Sequence, residues 1–166
     1  MKLSVFTPLP PAPTGIADYS ALLLERLAHR SDWEIDVYSP QAPHENAPFS
    51  VRSLESPLDA SAVPMYHVGN SEHHDFLYPF LFRRPGVLVL HDLVLHHARL
   101  KAHLESPEVL AYRADLGNRD KRAKALARLD AYREEAQRAY PDEGEAIAEI
   151  AIRMGGGSLL YAYPLY

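Results

Sequence analysis

The stretch VFTPLPPAPTGIADYSALLLERL, residues 5–27, passes from a strand through a proline-rich loop into a helix. The strand begins upstream, because the segment KLSVFT, residues 2–7, is short, mostly apolar and contains β-branched residues. The prolines that follow cannot continue the hydrogen bonding of a central strand, so the strand ends there. The helix starts near Ile16, with Thr14 as its predicted N-cap and Asp18 in the first turn, where negative charge is favoured. Its predicted apolar face consists of Ile16, Tyr19, Leu23 and Leu27.

The segments that follow extend this start into a sheet. Residues 33–38, WEIDVY, alternate apolar and acidic side chains and stop at Ser39-Pro40, which predicts a second strand reached by a right-handed helical crossover. Residues 86–90, GVLVL, contain four consecutive aliphatic residues and predict a strand buried on both faces by helices. Three weaker elements are predicted between them: an edge strand at 51–54, a strand at 63–68 and a short helix with core-facing aromatics at 76–82.

Helical composition dominates the second half of the chain. Residues 107–139 predict helix interrupted at Gly117-Asn118, and Pro141 opens a last helix that glycines 155–157 would close. Strands alternating with helices predict an α/β fold: a Rossmann-like, mostly parallel sheet flanked by helices, in a single domain over residues 1–166. The apolar end SLLYAYPLY, residues 158–166, indicates a fragment or a segment that packs on a partner.

Composition excludes several classes of function. A net charge of −5 and an isoelectric point near 6.0 give no basic footprint, so no nucleic-acid partner is expected. The absence of cysteine excludes disulfides, thiolate zinc sites and a cysteine nucleophile. Since the sequence shows neither a signal peptide nor an apolar run of membrane-spanning length, we expect a cytoplasmic protein.

The proline loop, residues 8–15, is the first candidate site. Ligands of parallel α/β sheets bind outside the carboxyl ends of the strands, and this loop follows the first strand. Gly15 would allow close approach of a ligand to a helix N-terminus, which favours anionic or hydroxyl groups. The loop holds one glycine and is neither a GxGxxG nor a P-loop motif, so a rigid connector with an ordinary cap is an equal alternative.

The second candidate site is HDLVLHH, residues 91–97. At the end of a predicted buried strand, His91 can exchange hydrogen bonds or stabilise developing positive charge, and Asp92 can orient it. The histidines and Asp92, with His73-His74, have ligand types that suit zinc or manganese, but the spacing fits no known metal motif, and no metal is expected. His96 and His97 are predicted to lie on an outer helix turn.

Three further patterns have simpler alternative explanations. YHVGNS, residues 66–71, follows another strand, and Asn70 offers a ligand both a donor and an acceptor; the alternative is a tight turn with a self-bonded asparagine. Glu135 and Glu143 form an E-x7-E string, but Pro141 lies between them and we interpret it as chance. The charged helix faces over residues 113–138 are predicted to be solvated i,i+4 pairs.

Taken together, three of these segments, residues 5–27, 66–78 and 86–97, resemble the N-terminal domain of retaining GT-B glycosyltransferases of family 4. The resemblance covers residues 1–100 well and the helical remainder loosely. In that family, two Rossmann-like domains face each other across a cleft: the first supplies most of the acceptor site, and the second binds the nucleotide-sugar and carries a basic pair and an E-x7-E motif. No basic pair or glycine-rich E-x7-E context follows residue 100, which implies that the nucleotide-binding half is missing and that even this domain is truncated.

The resemblance also implies site residues. Gly15 and Thr14 match the loop at the cleft floor near the transferred sugar and phosphate. His91 matches the histidine that touches the donor sugar, with Asp92 beside it, so these two are the predicted catalytic residues. Asn70, together with His67, matches the cleft-facing loop and is predicted to bind substrate.

The implied activity is transfer of a hexose from a nucleotide-sugar to an acceptor hydroxyl with retention, without cofactor or metal and with no activity in the isolated chain. The acceptor would be a glycan, a lipid-linked sugar or a small molecule, and a lipid-linked one would bring peripheral contact with the inner face of the membrane. One alternative is a non-catalytic Rossmann-like module that forms a homodimer through its apolar tail, including Tyr161, Tyr163, Leu165 and Tyr166. A second alternative is a small metal-dependent hydrolase built on the histidines.

Overall fold

A computed structural model describes residues 1–30, 32–42, 47–93 and 95–154. The chain divides into two compact units. The first comprises Met1–Gly69 and His73–Asp92, and the second comprises Asn70–Glu72 and the chain from Leu93 onwards. The apolar tail and the glycines that were predicted to close the last helix lie outside the described residues.

The first unit contains a five-stranded, wholly parallel sheet in the order β3-β2-β1-β4-β5, which confirms the predicted Rossmann-like α/β class. Parallel strands need crossover connections, and α1 supplies the first of these between β1 and β2. The strands are β1 (Lys2–Phe6), β2 (Glu34–Tyr38), β3 (Ser50–Arg52), β4 (Val63–Val68) and β5 (Val87–Leu90). The helices of this unit are α1 (Gly15–Arg30), a 3-10 helix at Glu72–Leu77, and α2 (Tyr78–Arg83).

Register across β1 separates the two faces of the sheet. Phe6 pairs with Tyr38 on one side and Tyr66 on the other, and its ring stacks on theirs at centroid distances of 4.9 and 4.8 Å. Each such pair is worth about 1 kcal/mol beyond the area that it buries. Val5, one residue earlier, points to the opposite face and packs in an aliphatic core with Leu24 of α1. β1 is therefore the centre of both cores.

Helix α1 has the predicted N-cap, but the face that it buries differs from the predicted apolar face. The Oγ1 atom of Thr14 accepts the backbone N–H of Ile16 at 3.4 Å, which satisfies one amide of the first turn. The buried residues of the helix are Ala17, Ser20 and Leu24, whereas Tyr19 is 47% exposed. The predicted apolar face is wrong for Tyr19, because two small residues, not the large ring, let the helix lie close to the sheet.

Strand β5 corrects the prediction that residues 86–90 are buried on both faces. Val87, Leu88 and Leu90 are 46%, 49% and 38% exposed. β5 pairs with β4 and is the last strand of the sheet within the described residues. An aliphatic run favours a strand but does not decide what covers it, and here the run lies at a sheet edge.

The short helix predicted at residues 76–82 is found as the end of the 3-10 helix followed by α2. Its aromatics face the core only in part. Tyr78 is buried and Phe80 packs on Phe6 with ring centroids 4.9 Å apart, but Phe82 is 70% exposed.

The second unit is helical, as predicted for residues 107–154. Ser106 is the N-cap of α4 (Pro107–Ala114), and its side-chain oxygen accepts the N–H of Val109 at 3.4 Å. Asn118 is the N-cap of α5 (Arg119–Ala139), and its side-chain oxygen accepts the N–H of Lys121 at 3.0 Å. A hydrophobic core of this unit contains Leu100, Leu104, Tyr132, Ala136, Ala148 and Ala151. The helices are α3 (His96–Leu104), α4 (Pro107–Ala114), α5 (Arg119–Ala139) and α6 (Gly144–Met154). Among the helices that the structure describes, none combines the length and apolarity needed to cross a membrane.

Candidate functional site

The carboxyl ends of β1, β4 and β5 bring four polar side chains of the first unit together. Thr7 follows β1, and His67 lies one residue before the end of β4. His91 follows β5, and its backbone N–H donates to the carbonyl of Val68 at 2.9 Å. Ser20 reaches the same place from the buried face of α1. Because all the strands are parallel, one edge of the sheet collects the residues that end them.

A chain of hydrogen bonds joins these four side chains. The Thr7 hydroxyl donates to Oγ of Ser20 at 2.7 Å, and this Oγ lies 3.0 Å from Nδ1 of His67. The same Nδ1 lies 3.1 Å from Nε2 of His91. Thr7, Ser20 and His67 are fully buried, whereas His91 is half-buried. The chain thus runs from the interior of the unit to a histidine that solvent reaches.

Tyr19 completes the surroundings of His91. Its ring meets the His91 ring edge-on with centroids 5.1 Å apart, and it is exposed on its other side. Tyr19 and Ser20 are neighbours in the first turns of α1, so one helix supplies both the buried hydroxyl and the exposed aromatic ring.

Burial sets the protonation of both histidines. It lowers the pKa of His67 from 6.5 to about 4, and the neighbouring His91 and His74 add to that shift. Burial also lowers the pKa of His91, while the charge of Asp92 opposes it. Both imidazoles are therefore neutral near pH 7, and His91 acts there as a hydrogen-bonding group rather than as a cation.

The predicted loop residues Thr14 and Gly15 lie at the start of α1. A Cβ added at Gly15 would meet no atom within 4 Å, and the residue is exposed. At Gly69, just after β4, an added Cβ would collide with Ile16 Cδ1 and lie 2.8 Å from His74 Cε1. The end of β4 therefore runs against the first turn of α1, and the space over Gly15 is open.

Asn70, the remaining predicted substrate-binding residue, belongs to the second unit. Its Oδ1 accepts the N–H of Ala98 at 3.0 Å, in the first turn of α3. Leu95, the N-cap of that helix, makes no side-chain capping bond, so Asn70 supplies a partner for one of the early amides. The Oδ1 atom of Asn70, whose side chain was predicted to bind substrate, therefore has a local capping role at the start of α3.

A second polar cluster, which we call the Glu135 cluster, lies in the helical unit and has no counterpart among the predicted sites. Arg99 makes two bonds to Glu135, at 2.6 and 2.8 Å, and His103 Nε2 lies 3.0 Å from the same carboxylate. Burial pushes the pKa of Glu135 upward, but the bonds from Arg99 and His103 outweigh it and lower the pKa to about 2. Glu135 is therefore not part of the solvated surface predicted for residues 113–138.

His96 is also placed differently from the prediction. It is buried, and its Nε2 lies 3.3 Å from the hydroxyl of Tyr132, so it is not on an outer helix turn. Sequence spacing could not reveal the contacts of Glu135 and His96, because their partners are 32 to 36 residues away along the chain. Across the described residues, no group of three or more metal-ligating side chains is arranged to hold a metal ion.

No protein-family model matches the chain, and neither does any curated protein or solved structure with which it was compared.

Proposed function

We propose that this chain is the N-terminal, acceptor-side part of a retaining family 4-like glycosyltransferase, which moves a hexose from a nucleotide-sugar to an acceptor hydroxyl. The observation that carries the proposal is the position of His91 against Tyr19 of α1 at the carboxyl edge of a parallel sheet, with open space over Gly15 at the start of the same helix. This edge is where ligands of such sheets bind.

The chemistry proposed for His91 is hydrogen bonding to the transferred sugar. Its ring is half-exposed and held on one side by His67, so one nitrogen remains for a ligand. Asp92, the next residue, carries a negative charge, which would favour the positive charge that develops on the sugar in the oxocarbenium-like transition state. These two residues keep the catalytic roles predicted for them.

The anionic part of the donor is assigned to the start of α1. The amides of a first helical turn and the positive end of the helix dipole favour phosphate. Gly15 leaves room there, and Thr14 fixes the turn through its bond to Ile16. The nucleotide itself would be bound by a second domain, and no step is assigned to a metal.

Substitution of Gly15 tests the proposal. Gly15→Ala adds a methyl group where the protein has no atom within 4 Å, so stability should be unchanged or rise by about 0.5 kcal/mol. If a donor phosphate or sugar occupies that space, kcat/KM should fall at least about tenfold, which corresponds to about 1.4 kcal/mol. The enzyme to assay, with UDP-glucose and GDP-mannose as donors, is the product of the natural reading frame that contains this chain.

Gly117→Ala is the matched control, because a Cβ at Gly117 also meets open space but lies in the second unit. It should leave kcat/KM unchanged. If the Gly15 variant and this control are equally active, no ligand binds over Gly15 at the start of α1, and the proposal is wrong.

The exposed β5 favours a second candidate, a non-catalytic module that associates with a second copy of itself. An edge strand with three exposed aliphatic side chains offers both unpaired backbone groups and apolar surface. Sedimentation velocity at rising concentration tests this candidate, and a monomer throughout would count against it.

A further inference from the structure

The surroundings of Nε2 of His67 indicate which ring nitrogen of this histidine carries the hydrogen. Nε2 is buried and has no hydrogen-bond partner among the described residues. With its low pKa the ring is neutral near pH 7 and carries one N–H. A buried N–H without an acceptor is rare and costly, so the hydrogen belongs on Nδ1, where acceptors are present.

Nδ1 of His67 lies near two atoms that can accept a hydrogen bond, Oγ of Ser20 at 3.0 Å and Nε2 of His91 at 3.1 Å. The Ser20 oxygen is itself held by the hydroxyl of Thr7. An Nδ1–H aimed between them requires a lone pair on Nε2 of His91. The single hydrogen of a neutral His91 must then lie on its Nδ1.

We propose that His67, held by Thr7 and Ser20, is a positioning residue that fixes His91 in the tautomer with hydrogen on Nδ1, so that this N–H is the donor offered to a ligand. Thr7 and Ser20 contribute by orienting the His67 ring and not by contact with the ligand. The use of the donor by a sugar hydroxyl rests on the proposed function, but the tautomer does not.

This arrangement also opposes protonation of His91. A hydrogen added to Nε2 would face the N–H of His67, and two donors would meet at 3.1 Å. Relief requires His67 to move its hydrogen to the buried Nε2. The other groups facing the pair are the ring edge of Tyr19, the carboxylate of Asp92, which favours protonation of His91, and His74, which disfavours protonation of His67.

Nitrogen-15 NMR of the histidine rings tests the proposal on the chain without any ligand. In the wild type near pH 7, His91 should show a protonated Nδ1 and an unprotonated Nε2. His67→Leu removes the donor that holds Nε2 of His91 in its unprotonated form, so the tautomer of His91 should become mixed. His67→Asn places an amide N–H near the position of Nδ1 and should restore the wild-type pattern.

Tyr66→Phe is the control for lost stability. It removes a partly buried hydrogen bond from the neighbouring residue of β4, between the Tyr66 hydroxyl and the carbonyl of Arg84, and leaves the contacts of His91 in place. It should leave the His91 signals unchanged. A wild-type His91 protonated on Nε2 would overturn the proposal, as would a His67→Leu variant with wild-type His91 signals. If His67→Leu does not fold, the wild-type spectrum still decides, and neither result depends on transferase activity.

Discussion

Single side chains show which parts of the site could be predicted. The cap position of Thr14 and the position of His91 after a strand were predicted from sequence, because a cap and a strand end are local features that a few adjacent residues indicate. Thr7 and Ser20 were not found, because their role comes from a contact between the end of β1 and the second turn of α1. A serine inside an apolar helix pattern gives no signal of its own until the partner strand is known.

The depressed pKa of His67 predicts a pH-dependent stability. The unfolded chain takes up this proton near pH 6.5, whereas the native chain does so only near pH 4. Between these values the unfolded state binds more protons, so the free energy of unfolding falls as pH falls through the window. The loss attributable to His67 reaches about 2–3 kcal/mol at pH 4.5.

Urea denaturation of the wild type and of His67→Asn at pH 7 and at pH 4.5 measures this loss. The asparagine side chain does not titrate, so the variant should lose about 2–3 kcal/mol less than the wild type between the two pH values. Since the carboxylates titrate in both proteins, only the difference reports on His67. Parallel losses would show that burial does not suppress protonation of this ring.

Among the helices and strands, sequence predicted type and order better than burial. All five strands and the helices α4 and α5 fall within a few residues of their predicted positions, because periodicity and caps are encoded locally. The burial of β5 and the apolar face of α1 were wrong. Both depend on how elements pack, and neither an aliphatic run nor a spacing of four residues specifies the neighbouring surface.

The Glu135 cluster predicts how α3 and α5 are held together. Glu135→Gln removes the charge that partners Arg99, whose side chain is 11% exposed, and leaves a buried cation without its carboxylate. The expected cost is about 3 kcal/mol, toward the low end for breaking a buried pair. Thermal unfolding of the variant near pH 7 should show the corresponding decrease in Tm.

The double variant Arg99→Leu, Glu135→Leu tests the cause. Replacing both charged groups with apolar side chains removes the cation together with the carboxylate, so it should recover at least half of the loss. Asp130→Asn is the control, because its bond to Arg133 is exposed and worth well under about 1 kcal/mol. A double variant no more stable than Glu135→Gln would show that packing at these positions, not charge pairing, sets the stability.

For the whole molecule, the two edges of the sheet differ in how they resist association. β3 is three residues long, and Arg52 at its end pairs with Asp36 at 2.8 Å, so charge protects that edge. β5 has four residues, all aliphatic, and no charged side chain within the strand. Short strands and charges are the usual protection of sheet edges, and β5 lacks the second. We therefore expect β5 to be the edge of this sheet through which copies of the chain associate.

Leu88→Lys tests that association, because it places a charge at the most exposed position of β5, 49% exposed, without removing a core side chain. Sedimentation velocity of the wild type should show a rising weight-average mass with concentration, and the variant should remain monomeric. Leu22→Lys is the matched control: it charges a leucine of α1 that is 60% exposed and should leave the association intact. If both variants associate like the wild type, β5 is not the contact. If the wild type is itself a monomer, the transferase proposal stands without its rival.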